Sequence, residues 1–260
     1  MRFLLSRRWL LFAVAVALLA YGAWWLGEWQ FGRLEERRAR NEVTARNLTA
    51  PPAPVEKVLA PGRPVDPQDE WRRVRAAGTY LAEETVVVRY QTHDGASGVD
   101  LVTPLRLRPD GPLLLVNRGW LRTDNTGDAA SDLPPPPAGR VTVVGWVRGD
   151  ATGDAAEVSD RTTRAVSSRE IAGTLDGAVL GGFVDLVSEQ PEPAEPLVHA
   201  EAPDLSEGPH FFYGLQWWFF AALGVFGFGY LAWDERRKGR PAAAQGAGST
   251  VTKVGESAPS

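Results

Sequence analysis

The residues best suited to hold a ligand lie in one short apolar segment, where His210 is followed at helical spacing by Tyr213, Gly214 and Trp217. Residues at i, i+3, i+4 and i+7 share one face of a helix. On that face the imidazole supplies a nitrogen donor, and the glycine leaves a gap in which a flat ring could approach the backbone. Pro209 suits the first turn of such a helix, because its missing N–H costs nothing there.

Composition excludes several other kinds of site. Cysteine is absent, Met1 is the only methionine and there are three histidines. Disulfides, thiolate zinc sites, iron–sulfur clusters and covalent CxxCH haem attachment are therefore impossible, and soft copper sites are nearly excluded. No nucleophile elbow, Walker loop or HExxH motif occurs, so we predict that the protein is not an enzyme, with carboxylate-only catalysis as the enzymatic alternative.

Two uncharged apolar runs, 9–27 and 211–233, are long enough to cross a membrane. The first contains about 19 residues, which as a helix reach about 28 Å, close to the hydrocarbon thickness. Tryptophans cluster at or near the ends of both runs, as is typical of membrane interfaces: Trp9, Trp24, Trp25, Trp29, Trp217, Trp218 and Trp233. A cleaved signal peptide is the alternative for the first run, and a buried core helix is the alternative for the second.

Charge around the second run predicts the orientation. Four basic residues follow it: Arg236, Arg237, Lys238 and Arg240. No Lys or Arg occurs between Arg169 and that run, so the positive-inside rule makes both termini cytoplasmic. We predict a two-pass protein of the plasma (inner) membrane, with residues 1–8 and 234–260 in the cytoplasm. The acidic balance of the outer part argues against nucleic acid as a partner.

The segment between the two runs predicts a helix followed by a β domain. Residues 28–50 are rich in Arg, Glu and Leu and should extend the first helix until the prolines that follow stop it. Within 51–210 the hydrophobic period changes to two in short segments: 71–75, 85–90, 99–107, 113–121 and 140–148. The predicted fold class is two transmembrane α-helices flanking a mainly antiparallel β (barrel-like, α+β) extracytoplasmic domain.

Smaller features complete this prediction. A short helix is expected at 169–175, a further strand at 182–187 and disorder in the Ala-, Gly- and Ser-rich tail. Arg118 is expected at a strand end where Gly119 permits a bulge, with Trp120 in the core, and a partner-facing role is the alternative for this arginine. The prolines at 134–137 predict an exposed polyproline connection.

Four local patterns occur in an order that resembles the Surfeit-locus (Shy-type) cytochrome c oxidase assembly factors. They are LGEWQ at 26–30 followed by Arg33 and Arg37, VTPL at 102–105, VNRGW at 116–120 and PHFFYGLQWW at 209–218. Together with the two flanking spans the resemblance covers about 9–233. Pro209 stands where many relatives have Asn, Gly214 where Ala is usual and Trp218 where Phe is common, which affects the local start of the second helix.

The resemblance implies a membrane protein that helps to build the haem–copper oxidase. Bacterial members of the family are proposed to bind haem a and to pass it to the catalytic subunit, with a histidine at the position of His210 as the haem contact. The expected cofactor is therefore haem a. The expected partners are the catalytic subunit of cytochrome c oxidase, haem a synthase and the lipid bilayer.

The two spans should be antiparallel neighbours, which puts 27–37 and 210–218 at similar depth. His210 would then ligate the haem iron, aromatic rings would form the walls, and Arg33 or Arg37 would bind the carboxylates. The expected haem-binding residues are His210, Tyr213, Trp217, Trp29, Arg33 and Arg37. Three alternatives stay open: a hydrated boundary histidine, an aromatic belt, and arginines that reach to headgroups or pair with Glu36.

Other functions are also compatible with this organisation. A scaffold could steady an oxidase subunit without binding haem. A double-pass sensor would need a cytoplasmic output domain, whereas the segment after Trp233 is short. A copper chaperone would need a cysteine pair or methionine-rich ligands, which the chain lacks.

Overall fold

The computed structural model describes residues 2–123 and 133–238 and divides the chain into two units. The first unit comprises the described residues of Met1–Arg38 and Ser206–Ser260, and the second is Ala39–Leu205. The first is helical and the second contains a β sheet. The predicted fold class is confirmed, because two apolar helices flank a mainly antiparallel sheet domain.

Two long helices carry the apolar runs. Helix α1, Arg7–Thr49, covers both the predicted span and its predicted extension without a break. Helix α3, His210–Lys238, continues past the predicted end of the second span. Only 6% of the most apolar window of each helix is buried, so neither is the core helix of a soluble domain, and both are consistent with a two-pass membrane protein. The rest of the predicted tail, 239–260, lies outside the described residues.

The described part of the second unit has eight strands and one short helix. The strands are β1 Ala53–Pro54, β2 Arg73–Tyr80, β3 Val86–His93, β4 Ala96–Arg106, β5 Leu113–Arg122, β6 Arg140–Arg148, β7 Thr162–Thr163 and β8 Val179–Gln190. Helix α2, Ser168–Ala172, precedes β8, and its first turn is capped by the side chain of Ser167.

The strands form one sheet in the order β1-β2-β6-β8-β5-β4-β3-β7, and an additional pairing of β2 with β4 closes five of them into a ring. Within that ring only β5 and β8 pair in parallel, while β2–β6, β6–β8, β5–β4 and β2–β4 are antiparallel. The two short strands pair in parallel with their neighbours, β1 with β2 and β7 with β3.

Strand β5 is buried on both faces, which explains its nearly continuous apolar sequence. Leu114 and Val116 pack in one core cluster with Val74 of β2. Leu113 and Leu115 face the other way and pack in a second cluster with Ile171 of α2. Full burial of each such side chain contributes roughly 1.5–3 kcal/mol, so this strand is a main source of the unit's stability.

The end of α1 is held in the second unit by a buried asparagine. Asn47 is only 2% exposed, and its Nδ2 donates to the carbonyl oxygens of Gln68 at 2.7 Å and Glu70 at 2.9 Å. Nearer the unit boundary, Nδ2 of Asn41 donates to the carbonyl oxygen of Leu205 at 2.7 Å. These bonds hold the last turns of α1, from Ala39 onward, within the second unit.

The region around Arg118 differs from the expectation in three respects. The bulge is present, because Leu101 pairs with Gly119 while Val102 pairs with Asn117, but Arg118 lies inside β5 and not at its end. The polyproline segment is not fully exposed. Pro134 is buried, and its carbonyl oxygen accepts a hydrogen bond from the buried guanidinium of Arg118. The tryptophan that follows the bulge, Trp120, is only partly buried, and its Nε1 donates to the carbonyl oxygen of Gln91.

Candidate functional site

Helices α1 and α3 pack antiparallel through glycines and aromatic rings. The contacts run in opposite order along the two helices: Trp9 and Phe12 with Phe228, Gly27 with Trp218, and Phe31 with Gly214 and Phe211. Segments 27–37 and 210–218 are thereby brought to the same level. This pairing is what positions each side chain of the candidate site.

His210, the first residue of α3, is held by a glutamine of α1. Its Nδ1 lies 2.9 Å from Oε1 of Gln30. An amide oxygen can only accept, so this contact is a hydrogen bond in the tautomer with a proton on Nδ1, and in that tautomer the lone pair lies on Nε2. Within 2–123 and 133–238 no residue forms a hydrogen bond or ion pair with Nε2. The imidazole therefore has one oriented nitrogen and one nitrogen free to bind a ligand.

Arg37 lies beside this imidazole. Its Nε donates to the carbonyl oxygen of Ser206, in the segment that leads into α3. A Cβ placed on Gly208 would be 3.9 Å from Arg37 Nε and also 3.9 Å from His210 Nε2, so both side chains approach this glycine. A permanent cation and a nitrogen donor are thus adjacent at one end of the helix pair.

An ion pair between Arg38 and Glu207, which was not predicted from the sequence, fixes the same end of the helix pair. Arg38 binds Glu207 through two parallel hydrogen bonds, Nε to Oε1 at 2.8 Å and Nη2 to Oε2 at 2.7 Å. The hydrogen bonds from this guanidinium lower the pKa of the Glu207 carboxyl below its ordinary value. The bidentate geometry restricts the connection before α3 more than a single contact would.

Two other expected site residues form a separate group on the exposed side of α1. Arg33 Nη1 lies 3.0 Å from Glu36 Oε2, and the Arg33 guanidinium stands 5.6 Å from the ring centroid of Trp29. Neither Arg33 nor Trp29 hydrogen-bonds to His210 in the described part of the chain. Pairing with Glu36 is one of the alternatives that the sequence left open for this arginine.

The remaining expected residues lie along α3. Tyr213 is 48% exposed, and Trp217 is half-buried with its ring against Phe220. Gly214 is buried, and a Cβ at this position would be 2.8 Å from Cζ of Phe31. The gap that the sequence suggested beside the imidazole is therefore occupied by a phenylalanine ring of α1.

These residues fit a haem in one arrangement and not in another. The free Nε2 of His210 is a suitable axial donor and Arg37 a suitable partner for a propionate. A flat macrocycle has no room between the helices, because Phe31 and Trp218 fill the notches at Gly214 and Gly27. It could instead lie against the exposed aromatic surface of the pair.

Gln30 lies in the quoted LGEWQ pattern, but no role was predicted for it from the sequence. The available signal was its polarity within an aromatic stretch, Trp29-Gln30-Phe31. A polar side chain at such a place needs a hydrogen-bond partner when it is partly buried. Which partner it finds depends on the packing of α3.

The second unit has a small cleft that contains the other two histidines. The cavity of about 160 Å³ is lined by His93, His199, Asp100 and Trp120 among others. Burial, and then the nearby charge of Asp185, raise the pKa of Asp100 to about 6. No group of three or more His, Asp or Glu side chains in the described ranges is arranged to hold a metal ion.

A chain of polar residues, buried at Asn117 and Asp185 and partly exposed at Arg148 and Glu70, begins at this cleft. Asn117 Nδ2 donates to Asp185 Oδ1 at 2.9 Å, and Arg148 Nη1 donates to Asp185 Oδ2 at 2.7 Å. Arg148 Nε also donates to Glu70 at 3.0 Å. Asp185 is 2% exposed, so this carboxylate depends on its partners inside the protein.

Comparison with known proteins gives a family match over most of the chain. A family model described as the SURF1 family matches residues 17–222. Uncharacterized SURF1-like proteins of Mycobacterium bovis and Mycobacterium tuberculosis are 28% identical over 244 residues, which is 92% of this chain and 88% of each relative. The cytochrome oxidase assembly protein SHY1 of Saccharomyces cerevisiae is 28% identical over 111 residues, 43% of this chain and 28% of that protein.

Proposed function

Since the chain belongs to the SURF1 family, we propose that it is a two-pass membrane factor that assists the assembly of cytochrome oxidase. The name of the similar yeast protein carries this role. We further propose that the protein binds haem a at the helix pair and aids its delivery to the catalytic subunit, with haem a synthase as a second partner.

The observation that carries the haem proposal is the state of His210. Its Nδ1 is engaged by Gln30, whereas Nε2 has no protein partner in the described residues. An imidazole in this state would be able to hold haem by ligating its iron through Nε2. A histidine that only marked a hydrated boundary would not need an oriented ring.

Charge and surface character support the same proposal. Arg37 stands beside His210 and can bind a propionate while its backbone contact to Ser206 holds it in place. Tyr213 and Trp218 present exposed rings on the same helix, 48% and 41% exposed, which suits an apolar macrocycle. A carrier must also release its cargo, and one histidine on an open surface suits release better than an enclosed site with two axial ligands.

The proposed orientation places the helix end that carries His210 on the outer side of the plasma membrane. The basic residues at the other end of α3, Arg236 to Lys238, would face the cytoplasm. The second unit would then lie on the extracytoplasmic side of the membrane. Reaction of introduced single cysteines with a membrane-impermeant reagent tests this directly, because the chain has no cysteine of its own.

The test of haem binding is the absorbance spectrum of the full chain purified from cells that make haem a. The wild-type protein should carry pigment, and His210→Ala should lose most of it. His199→Ala is the matched control, because it removes a histidine from the cleft of the second unit. An unchanged spectrum in His210→Ala would remove the ligand role.

A scaffold without haem is the second candidate, and the filled helix interface favours it. Phe31 occupies the space beside Gly214, so the two helices already form a closed pair. A wild-type protein without pigment, together with loss of oxidase activity when the gene is deleted, would support the scaffold. Normal oxidase activity in the deletion strain would contradict both candidates.

A further inference from the structure

We infer that Gln30 is a positioning residue that fixes the tautomer of His210 and so makes Nε2 the ligand atom. The inference rests on the proposed haem-binding function. Gln30 itself touches no cofactor in this scheme. It acts through the hydrogen bond from His210 Nδ1–H to its Oε1, which is 2.9 Å long.

The hydrogen bond is specific because the helix packing sets the angular position of Gln30. Gly27, three residues before it, lies under the ring of Trp218, and Phe31, directly after it, fills the notch at Gly214. Phe31 also stacks edge-on against Trp218, with ring centroids 4.9 Å apart. These contacts fix the rotation of α1 about its own axis relative to α3. In that orientation the side chain of Gln30 contacts His210.

Two consequences follow from the chemistry of the pair. A neutral imidazole that donates from Nδ1 has its lone pair on Nε2, the nitrogen that, like Arg37 Nε, lies near Gly208. The hydrogen bond that Nδ1–H donates to Gln30 also fixes the ring orientation and increases the basicity of the ligating nitrogen, Nε2. Gln30 would therefore strengthen axial ligation and direct the ligated group toward the cation.

The first experiment reads the tautomer without any haem. The full chain is labelled with ¹⁵N-histidine and studied in detergent micelles, where the ring nitrogen shifts distinguish a protonated from a bare nitrogen. Only three histidines contribute, so His210→Ala assigns the signals of His210. We expect Nδ1–H in the wild type. Gln30→Leu should lose that preference, whereas the signals of His93 and His199 should not change.

The second experiment titrates the same proteins with haem a extracted from purified oxidase. Gln30→Leu should bind about 10- to 100-fold more weakly, which is the usual effect of losing a hydrogen bond to a metal-ligating histidine. Gln30→Glu keeps an acceptor and should retain binding. Gln216→Leu is the matched control, since Gln216 is an exposed glutamine of α3. Circular dichroism and gel filtration verify that each variant keeps its helices and its size.

The outcomes separate this inference from the proposed function. An Nε2–H tautomer in the wild type would overturn the inference, even if haem binds. Equal haem affinity in Gln30→Leu and in the wild type would also overturn it and would leave the proposed function intact. A wild-type protein that binds no haem would overturn the proposed function, and with it the axial role of Nε2. An Nδ1–H wild type, weak binding by Gln30→Leu and rescue by Gln30→Glu would support the inference.

Discussion

The indole ring of Trp218 packs directly on Gly27, so that even a methyl group at this glycine would overlap the ring. One turn further along α1, the ring of Phe31 fills the notch at Gly214. Each helix thus contributes one small residue and one large ring to the contact. This reciprocal packing lets the backbones approach closely, as small residues generally do between membrane helices.

Gly27→Val should separate the two helices and destabilise the first unit. Overpacking of this kind typically costs about 1–3 kcal/mol. Thermal unfolding of the full chain in detergent, followed by tryptophan fluorescence, measures the loss. Gly22→Val is the matched control on the same helix, because a Cβ at Gly22 would meet nothing within 4 Å. Equal melting temperatures for the two variants would contradict the packing described here.

Asp100→Asn should stabilise the protein at neutral pH and not at acidic pH. Burial raises the pKa of Asp100 from 3.8 to about 6, so the folded state binds its proton more tightly than the unfolded state does. This group therefore reduces stability as the pH rises from about 4 through about 6. The asparagine removes that loss, which is at most about 3 kcal/mol at 1.36 kcal/mol per pKa unit.

The matched control for this prediction is Asp110→Asn, which changes an exposed aspartate between β4 and β5. Melting temperatures of both variants are compared with the wild type between pH 4 and pH 8. The advantage of Asp100→Asn should grow as the pH rises through about 6 and stay constant above that. A constant difference, or one that shrinks as the pH rises, would show that burial does not disfavour this carboxylate.

Arg148→Met should be among the most damaging surface-accessible substitutions in the second unit. It leaves the carboxylate of Asp185, which is 2% exposed, without its cationic partner. Removal of one member of a buried ion pair typically costs about 3–5 kcal/mol. The melting temperature of the full chain reports the loss, and adding Asp185→Asn should recover part of it because the unpaired charge disappears.

Arg161→Met provides the comparison for that substitution. Arg161 pairs with Glu84 at 3.3 Å, but both side chains are more than a third exposed, at 53% and 38%. Exposed pairs of this kind contribute about 0–1 kcal/mol. If the two methionine variants have the same melting temperature, the ion pair between Arg148 and Asp185 does not contribute more to stability than an exposed pair does.

Arg118→Lys should destabilise the second unit although the charge is kept. The guanidinium, which is 2% exposed, donates from Nη1 to Pro134 O at 2.9 Å and from Nη2 to Pro135 O at 3.1 Å. A compact ammonium lacks this two-pronged geometry, and a buried carbonyl left without a donor costs about 1–3 kcal/mol. Arg75→Lys, at an exposed position of β2, is the control and should melt like the wild type.

Local patterns in the sequence were sufficient to predict the main elements of the fold. The uncharged runs predicted helices because about 20 apolar residues in succession are enough to span the hydrocarbon layer as a helix. Alternation of apolar and polar residues predicted strands such as β2 and β6, because a strand alternates its faces. The expected strand at 140–148 coincides with β6, Arg140–Arg148, as the alternation of buried and exposed residues requires.

The sequence also predicted that segments 27–37 and 210–218 lie at similar depth, with Arg33 or Arg37 as the basic residue near His210, since two spans joined by one outer domain are most simply antiparallel neighbours. It could not indicate which nitrogen of the ring is free, because that depends on Gln30, 180 positions away in the chain. It also suggested an open gap at Gly214, where the rotation of α1 instead inserts Phe31.

By itself, then, the sequence determined where the helices and strands form and which family the chain joins, because those properties depend on local periodicity and motif order. Only the tertiary structure decided which polar groups meet: Gln30 with His210, Arg118 with the proline carbonyls, and Arg148 with Asp185. The physical reason is that hydrogen bonds and ion pairs act over a few ångströms. Their partners are therefore set by the register between distant segments, which no local pattern contains.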